Sequence, residues 1–422
     1  MSYHLLITID VEDWFQVENF KQFIPFSSWP SYALRVEKNI HRILDLLDSQ
    51  SSGVSSQQSV STNLYPARPV GPADGTGVKS GGYLTGATNS INPIKPSDSL
   101  RRRRIFTPCN ARPVEREARS TGAEPISQGE LSQFLPETEK KEKSSKSSKS
   151  CLTEMRESTT EHPESSKSCL RRMTKASKSC LTKNSPKATF FVLGWIAQRL
   201  PHLVREIHTR GHEVASHGCS HNLCNEQSID DLRKDLSDSK KVLEDIVGAP
   251  VFGYRAPSFS ISDDILKIIE ECGYLYDSSF NSFGMHGRYG RATLSGNVKK
   301  GIAVKISNNF YELPISNFRL WKRVFPLGGG GYFRLIPFPF FKLGVRSLLN
   351  RQQAYVFYMH PWEIDPEQPK VKEASVFYKF RHYYNLSKTY SKLSQLIESF
   401  EQCSFITCRQ YVGEMVTEFA RH

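Results

Sequence analysis

Residues 188–217 read ATFFVLGWIAQRLPHLVREIHTRGHEVASH, and this stretch decides the architecture. It opens on ATFFVLG (188–194), a short apolar run rich in aromatic residues that reads as a buried strand. A helical pattern runs from Trp195 to Arg210 and is stopped by Gly211; HEVASH (212–217) returns to a strand. A strand, a helix and a second strand in succession form a crossover unit, which lays the two strands parallel in one sheet.

Outward from this unit the alternation continues. Upstream, HLLITI (4–9) is an apolar strand that ends at acidic residues, and Leu34, Val36, Ile40, Ile43, Leu44 and Leu47 recur at helical spacing between Tyr32 and Leu47. Downstream, Ser228 with Asp231 caps a helix running to about Val247. Strand VFGYR (251–255) precedes a helix from Asp263 to Cys272, closed by Gly273. YLYDSS (274–279), IAVKIS (302–307) and FYELPI (310–315) read as strands. Helix 340–349, strand AYVFYM (354–359), helix 387–400, strand SFIT (404–407) and a helix near 409–419 follow. Strands regularly alternating with helices predict an α/β fold with a parallel sheet, and this many units favour a barrel.

Composition divides the chain. Residues 51–184 are rich in Ser, Thr, Pro, Gly and Lys and poor in large apolar residues, and they repeat SKSCLT (148–153), SKSCLR (166–171) and SKSCLT (177–182). No unit has apolar surface enough to stack, so 51–184 reads as a low-complexity, disordered insert within a discontinuous domain of 1–50 and 185–422. The insert carries 22 Lys and Arg against 13 Asp and Glu, leaving 34 against 30 elsewhere, so most of the net charge of +13 sits there. Its basic runs are not interleaved with aromatics, and no nucleic-acid partner is expected. Nine cysteines without a C-x-x-C pair give no disulfide framework; four of them, Cys109, Cys151, Cys169 and Cys180, lie in the insert. No signal-like start and no apolar window of about 20 residues is present. A cytoplasmic location follows, with the apolar run Phe333 to Leu349 as a candidate for peripheral membrane contact.

Polar residues gather where such a barrel builds its site. Asp10, His217, Arg255, Asp277 and His360 each fall at or just past the C-terminal end of an expected strand. In SHGCSH, His217 and His221 are spaced so that one turn presents two imidazoles to one metal ion. In TIDVED, Asp10, Glu12 and Asp13 crowd a strand end and need a cation or an arginine to offset their repulsion; a metal and Arg255 would supply it. His360 in FYMHPWEID, oriented by Asp277, has the placement of a general acid. Trp362 and Tyr332 are candidate sugar-stacking aromatics.

TIDVED, SHGCSH, YRAPSF, YDSS and FYMHPWEID occur in the order of the five motifs of the polysaccharide deacetylase family, carbohydrate esterase family four, with its nodulation-type chitooligosaccharide deacetylase domain, which this chain resembles. VEDWFQV, ATFFVLGW, GHEVASHG, GGGYFRL, HPWEIDPEQP and FRHYYNLSKT resemble the exosortase-associated exopolysaccharide branch. The likeness covers 1–50 and 185–412. It implies a distorted TIM-like barrel of about seven strands, a (β/α)7 arrangement, and a divalent metal, zinc first, with cobalt, nickel or manganese as alternatives. The resemblance makes Asp10 the general base, His217 and His221 metal ligands, Arg255 the residue orienting Asp10, His360 the general acid and Asp277 its tuner. Pro257 joins Trp362 and Tyr332 as a substrate contact. The family's motif has adjacent aspartates where this chain has Asp10-Val11-Glu12-Asp13, so the third ligand is Asp13 or Glu12. The activity implied is removal of N-acetyl groups from amino sugars of a bacterial exopolysaccharide. The alternatives are hydrolysis of another non-peptide C–N bond, ureide or cyclic amide, on the same fold, and an inactive carbohydrate-binding relic.

Overall fold

A computed structural model describes residues 3–50, 185–283, 290, 292–321 and 323–420. The insert 51–184, with its repeats, its four cysteines and its expected disorder, lies outside the described residues. The strands are β1 (His4–Val11), β2 (Ala188–Val192), β3 (Glu213–Ser216), β4 (Gly253–Tyr254), β5 (Tyr276–Asp277), β6 (Lys299–Lys300), β7 (Ala303–Lys305), β8 (Tyr311–Glu312), β9 (Phe318–Leu320), β10 (Arg323–Phe325), β11 (Ala354–Met359) and β12 (Ser404–Phe405). The helices are α1 (Val36–Ser49), α2 (Gly194–Arg199), α3 (Pro201–Thr209), α4 (Ile229–Val247), α5 (Asp263–Glu271), α6 (Gly330–Leu335), α7 (Phe338–Gln352), α8 (Val376–Tyr383), α9 (Leu386–Ser399) and α10 (Cys408–Ala420).

Seven strands run parallel in the order β11-β1-β2-β3-β4-β5-β8, and antiparallel β7 and β6 extend the sheet beyond β8. No ladder joins β8 to β11 among the described residues. That gap is filled by the chain around 315–329: Ser316 Oγ accepts from the Val356 N–H (2.9 Å), and Gly329 bridges Tyr358. A side chain at Gly329 would meet the Tyr358 carbonyl oxygen at 1.9 Å, and its φ of +132° already demands glycine. The result is a partly open barrel: the alternation predicts the parallel strands, and the resemblance implies the distortion. IAVKIS, read as one more strand of that alternation, instead turns back antiparallel on β8.

Burial follows the strand period. Leu5, Ile7, Ile9 and Val11 of β1 pack toward the helices, while Leu6 lies with Phe191, Tyr276 and Val356 in the barrel interior. Each such side chain withdrawn from water contributes about 1.5–3 kcal/mol. The helix expected from Trp195 to Arg210 is broken at Leu200–Pro201, because Pro201 has no N–H to continue the ladder and pushes Leu200 to ψ 55°. The ends of the described chain around the insert, Gln50 and Pro186, lie near Ser404 and Phe405, and β12 pairs with the first residues of β1. They therefore sit at the rim opposite the carboxyl ends of the strands.

One core histidine should make the fold acid-sensitive. His212 is 3% exposed, its Nδ1 accepts from the Ala188 N–H (3.2 Å), and Phe190 packs edge-on against its ring. Burial, assisted by Lys187, holds its pKa down at about 4 from the ordinary 6.5. The neutral ring is native, so stability is full above about 6.5 and falls as pH drops from there toward about 4, where the unfolded chain binds a proton the folded chain refuses. Urea midpoints measured from pH ~7 to ~4.5 should fall in the parent and fall less in His212→Gln. Parallel curves for the two proteins would remove His212 from this account.

Candidate active site

The site grows from strand ends. β1 runs to Val11, and its period of two puts Asp10 and Glu12 on the interior face and Val11 and Asp13 on the other. His217 follows the last residue of β3, Arg255 the last residue of β4, and His360 the last residue of β11. Gly218 (φ +74°) and His221 (φ +56°) wind the SHGCSH loop back so that the second imidazole faces the first, with ring centroids 5.4 Å apart. The Asp235 carboxylate holds the loop by accepting from the Cys219 N–H (3.1 and 3.2 Å). A side chain at Gly218 would strike that carboxylate at 2.7 Å.

Glu12, His217 and His221 bring one ligand atom each within 4.8 Å of one another, all three buried. His217 Nδ1 lies 2.7 Å from the Arg255 carbonyl oxygen, which can only accept, so Nδ1 carries the proton and Nε2 presents its lone pair. Glu12 Oε2 is buried without a hydrogen bond of proper geometry although His221 Nε2 is 2.8 Å away. An orphaned carboxylate oxygen facing two imidazoles is the donor set of a divalent cation site. The three residues therefore fit such an ion, and could hold it.

The electrostatics suit Glu12 and His217 as ligands, while His221 is held in an ion pair with Glu12 until an ion displaces its proton. Burial would raise Glu12, but His221, His360 and His217 outweigh it and hold the carboxyl at about 2. Burial pulls His217 down to about 4, leaving it neutral as a ligand must be. Burial would also lower His221, but Glu12 raises it above the ordinary value. His360 is raised to about 9 because Glu12, Glu363 and Asp10 overcome its burial.

Beside this group, Arg255 Nη1 donates to Asp10 Oδ1 (2.7 Å), leaving Oδ2 turned toward His360 Nε2 at 3.9 Å. His360 Nε2 is 3.4 Å from Glu12 Oε1. Asp10, Glu12, His217, His221 and His360 line one cleft, walled on its far side by Ser258, Phe259 and Gly330. Ser258 (φ 51°) and Phe259 (φ 59°) hold the strained left-handed conformation at that wall.

With this geometry in hand, comparison with known proteins is informative. Residues 165–276 match the family model described as polysaccharide deacetylase. This part of the chain is similar to polysaccharide deacetylases. Residues 278–413 match a second model, described as a domain of unknown function (DUF3473). The peptidoglycan-N-acetylglucosamine deacetylase of Bacillus cereus is 35% identical over 94 residues, 22% of this chain and 44% of that relative. The chitooligosaccharide deacetylase of Sinorhizobium fredii is 32% identical over 96 residues, again 22% of this chain and 44% of that relative. The chain thus spans less than half the length of these curated relatives. Among solved structures, the Bc1960 peptidoglycan N-acetylglucosamine deacetylase aligns at 17% identity over 53% of this chain and 73% of its own, with a TM-score of 0.32.

Set against the deacetylase motifs, several expected residues stand elsewhere. Asp13 is not with the imidazoles: its carboxylate accepts from the N–H groups of Trp14 (2.8 Å), Arg35 (2.6 Å) and Val36 (2.9 Å), fastening the start of α1. Of the two candidates left open by the sequence, Glu12 is the one beside them, and the strand period already separated them. Asp277 does not reach His360. It lies opposite Glu312 across the β5–β8 pair, accepting from Ser279 Oγ (2.7 Å), and burial together with Asp277 pushes Glu312 well above the carboxylate range. His360 Nδ1 instead meets Glu363 Oε1 at 2.8 Å, and Arg334 Nε donates to Glu363 Oε2 at 2.8 Å.

Trp362 lines the cleft, but it is 5% exposed and its ring stacks with those of His360 (5.1 Å between centroids) and His382 (4.1 Å), which leaves no open face for a sugar. Tyr332 packs edge-on against Phe283 (5.2 Å) and is not among the residues lining the cleft. Neither is Pro257, which shapes the 257–259 turn and accepts from Ser260 Oγ (2.7 Å) through its carbonyl. Sequence reading missed Glu363, Arg334, Asp235 and Glu312. Only Glu363 left a signal there, as an acid three residues after His360 in a turn opened by Pro361.

Proposed function

We propose that this chain is a metal-dependent N-deacetylase acting on amino-sugar polymers, with zinc at Glu12, His217 and His221 and a bacterial exopolysaccharide as substrate. The observation that carries it is the buried Glu12 carboxylate grouped with two imidazoles, its Oε2 without a hydrogen bond, beside an arginine-held Asp10. The polymer assignment rests on the segments VEDWFQV, GGGYFRL and HPWEIDPEQP and their resemblance to the exopolysaccharide branch. A divalent ion held by these three residues would lower the pKa of water to about 7 and polarise an acetamide carbonyl. Asp10, whose Oδ1 is engaged by Arg255, offers Oδ2 to take a proton from the attacking water. His360, its Nδ1 tied to Glu363, presents Nε2 to the cleft and protonates the departing sugar nitrogen. Acetate and a free amine are the products. Burial of Asp10, Glu12, His217, His221 and Arg255 strengthens their interactions relative to water.

The test is acetate release from N-acetylglucosamine oligomers by the metal-loaded chain, by the chain after chelation, and by Glu363→Gln. Release should stop on chelation and return with added zinc. Glu363→Gln should lose roughly 10–100-fold in kcat on the oligomers, as removal of a partner that orients a functional histidine does. It should lose little on 4-nitrophenyl acetate, whose leaving group departs without a proton. Absence of acetate with every substrate sinks the reading; turnover of ureides or cyclic amides in place of acetamides would move the chain to the alternative C–N chemistry.

A further inference from the structure

Ten of the twelve large apolar side chains that stand exposed among the described residues lie between Leu320 and Tyr384. Soluble surfaces carry such residues singly, and a gathering of them marks an interaction face. α8 shows it best, because its apolar side faces outward. Val376 (82% exposed), Phe377 (64%), Phe380 (52%) and Tyr384 just beyond its end (37%) share an arc of about 100°. Buried His382 lies on the opposite side of the helix. α8 is fastened to α6 by Arg334, whose guanidinium donates to the carbonyls of Arg381 (3.0 Å), His382 (2.6 Å) and Tyr384 (3.0 Å). Leu335, next in the chain, leads into α7, which presents Phe340 (69%) and Leu343 (66%) to solvent.

Charge around these residues is one-sided. Residues 313–388 contain twelve Lys and Arg against four Asp and Glu, and of those acids Glu363 and Asp365 are buried. Lys370, Lys372 and Arg346 are exposed. Outside the insert the chain as a whole is nearly balanced, so this density is local.

We propose that the outward side of α8 docks on an anionic lipid bilayer. Outward aliphatic and aromatic side chains enter the acyl boundary while the surrounding lysines and arginines meet acidic headgroups, the division of labour of an interfacial helix. A second copy of the chain would set two basic surfaces against each other, and a nucleic acid would leave Val376 and Phe377 without a use. Arg334, Arg381 and His382 also line the cleft, so the inner side of the docking helix is part of the cleft wall. The proposal does not depend on the reaction assigned above, since it is read by binding alone.

Co-sedimentation of the full chain with phosphatidylcholine/phosphatidylglycerol vesicles tests it, with pure phosphatidylcholine vesicles as control. The parent should bind the anionic vesicles and bind the neutral ones at least tenfold more weakly. Phe377→Ser/Phe380→Ser should lower the partition coefficient more than tenfold, and Lys370→Glu/Lys372→Glu, which leaves the apolar residues in place, should do the same on anionic vesicles. Both pairs are on the surface, so unchanged urea midpoints should accompany the loss. Failure of the parent to bind, or undiminished binding by both variants as the basic insert alone would give, overturns the proposal. So does a dimer of the parent that Phe377→Ser/Phe380→Ser dissolves, which would mean that a second copy covers the face.

Discussion

Asp10→Asn should leave a folded chain that still takes up metal and has lost roughly 10²–10⁴ in deacetylation rate. The substitution keeps the shape of a side chain that is 2% exposed and keeps an oxygen to accept from Arg255 Nη1. It removes the ability of the second terminal atom, 3.9 Å from His360 Nε2, to accept a proton. Asp10 is not one of the three grouped ligand residues, so metal content should stay at the parental level when measured by elemental analysis. This separates the proton-transfer role from the metal-holding role: Glu12→Gln, by contrast, should lose both metal and rate. A variant Asp10→Asn that keeps a tenth or more of parental turnover would show that the proton leaves the water by another route.

Arg255→Leu should destabilise the fold by about 3–5 kcal/mol, because it removes one partner of a buried ion pair and leaves the other charged. Arg255 is the largest fully buried side chain and is wholly enclosed. Nη1 donates to Asp10 Oδ1 (2.7 Å) and Thr8 Oγ1 (2.7 Å), Nη2 to Ser278 Oγ (2.9 Å) and Nε to the Ser278 carbonyl (2.8 Å). The guanidinium also stacks 4.1 Å from the Phe191 ring centroid. One planar fork thus joins β1, β2, β4 and the residues after β5, and no aliphatic side chain can satisfy those acceptors. Against a typical total of about 5–15 kcal/mol, the expected loss leaves the variant marginal. Urea unfolding of Arg255→Leu, Asp10→Asn and the double variant measures it. The double variant should cost less than the sum of the two, since Asp10→Asn removes the charge that Arg255→Leu strands. A loss below about 1 kcal/mol would mean that water or a rearranged neighbour takes over the guanidinium's partners.

How much of this was legible beforehand can be judged from individual residues. Hydrophobic periodicity was enough for the parallel barrel, because strands and helices bury a face at spacings written into the chain, and the placement of Asp10, His217, Arg255 and His360 at strand ends followed from it. The alternation along β1 even contained the choice of Glu12 over Asp13, since residues two apart share a face. Helix α8 escaped notice because it hides its polar side and exposes its apolar one, the reverse of the pattern that marks a helix in a soluble domain.

What the sequence by itself determined is therefore the order of elements, the rim that carries the polar residues, and the loop that turns His221 back on His217. What only the tertiary structure decided is which acid serves which base. Asp277 was a reasonable partner for His360 until β8 paired with β5 and placed Glu312 opposite it. Glu363 took that place because the turn after β11 folds its carboxylate back onto His360 Nδ1, and Arg334 from α6 holds it there. The physical reason is one of range. Periodicity is a property of neighbours along the chain, whereas a hydrogen bond of 2.8 Å between residues 29 apart in sequence, Arg334 and Glu363, exists only once the whole barrel has closed around it.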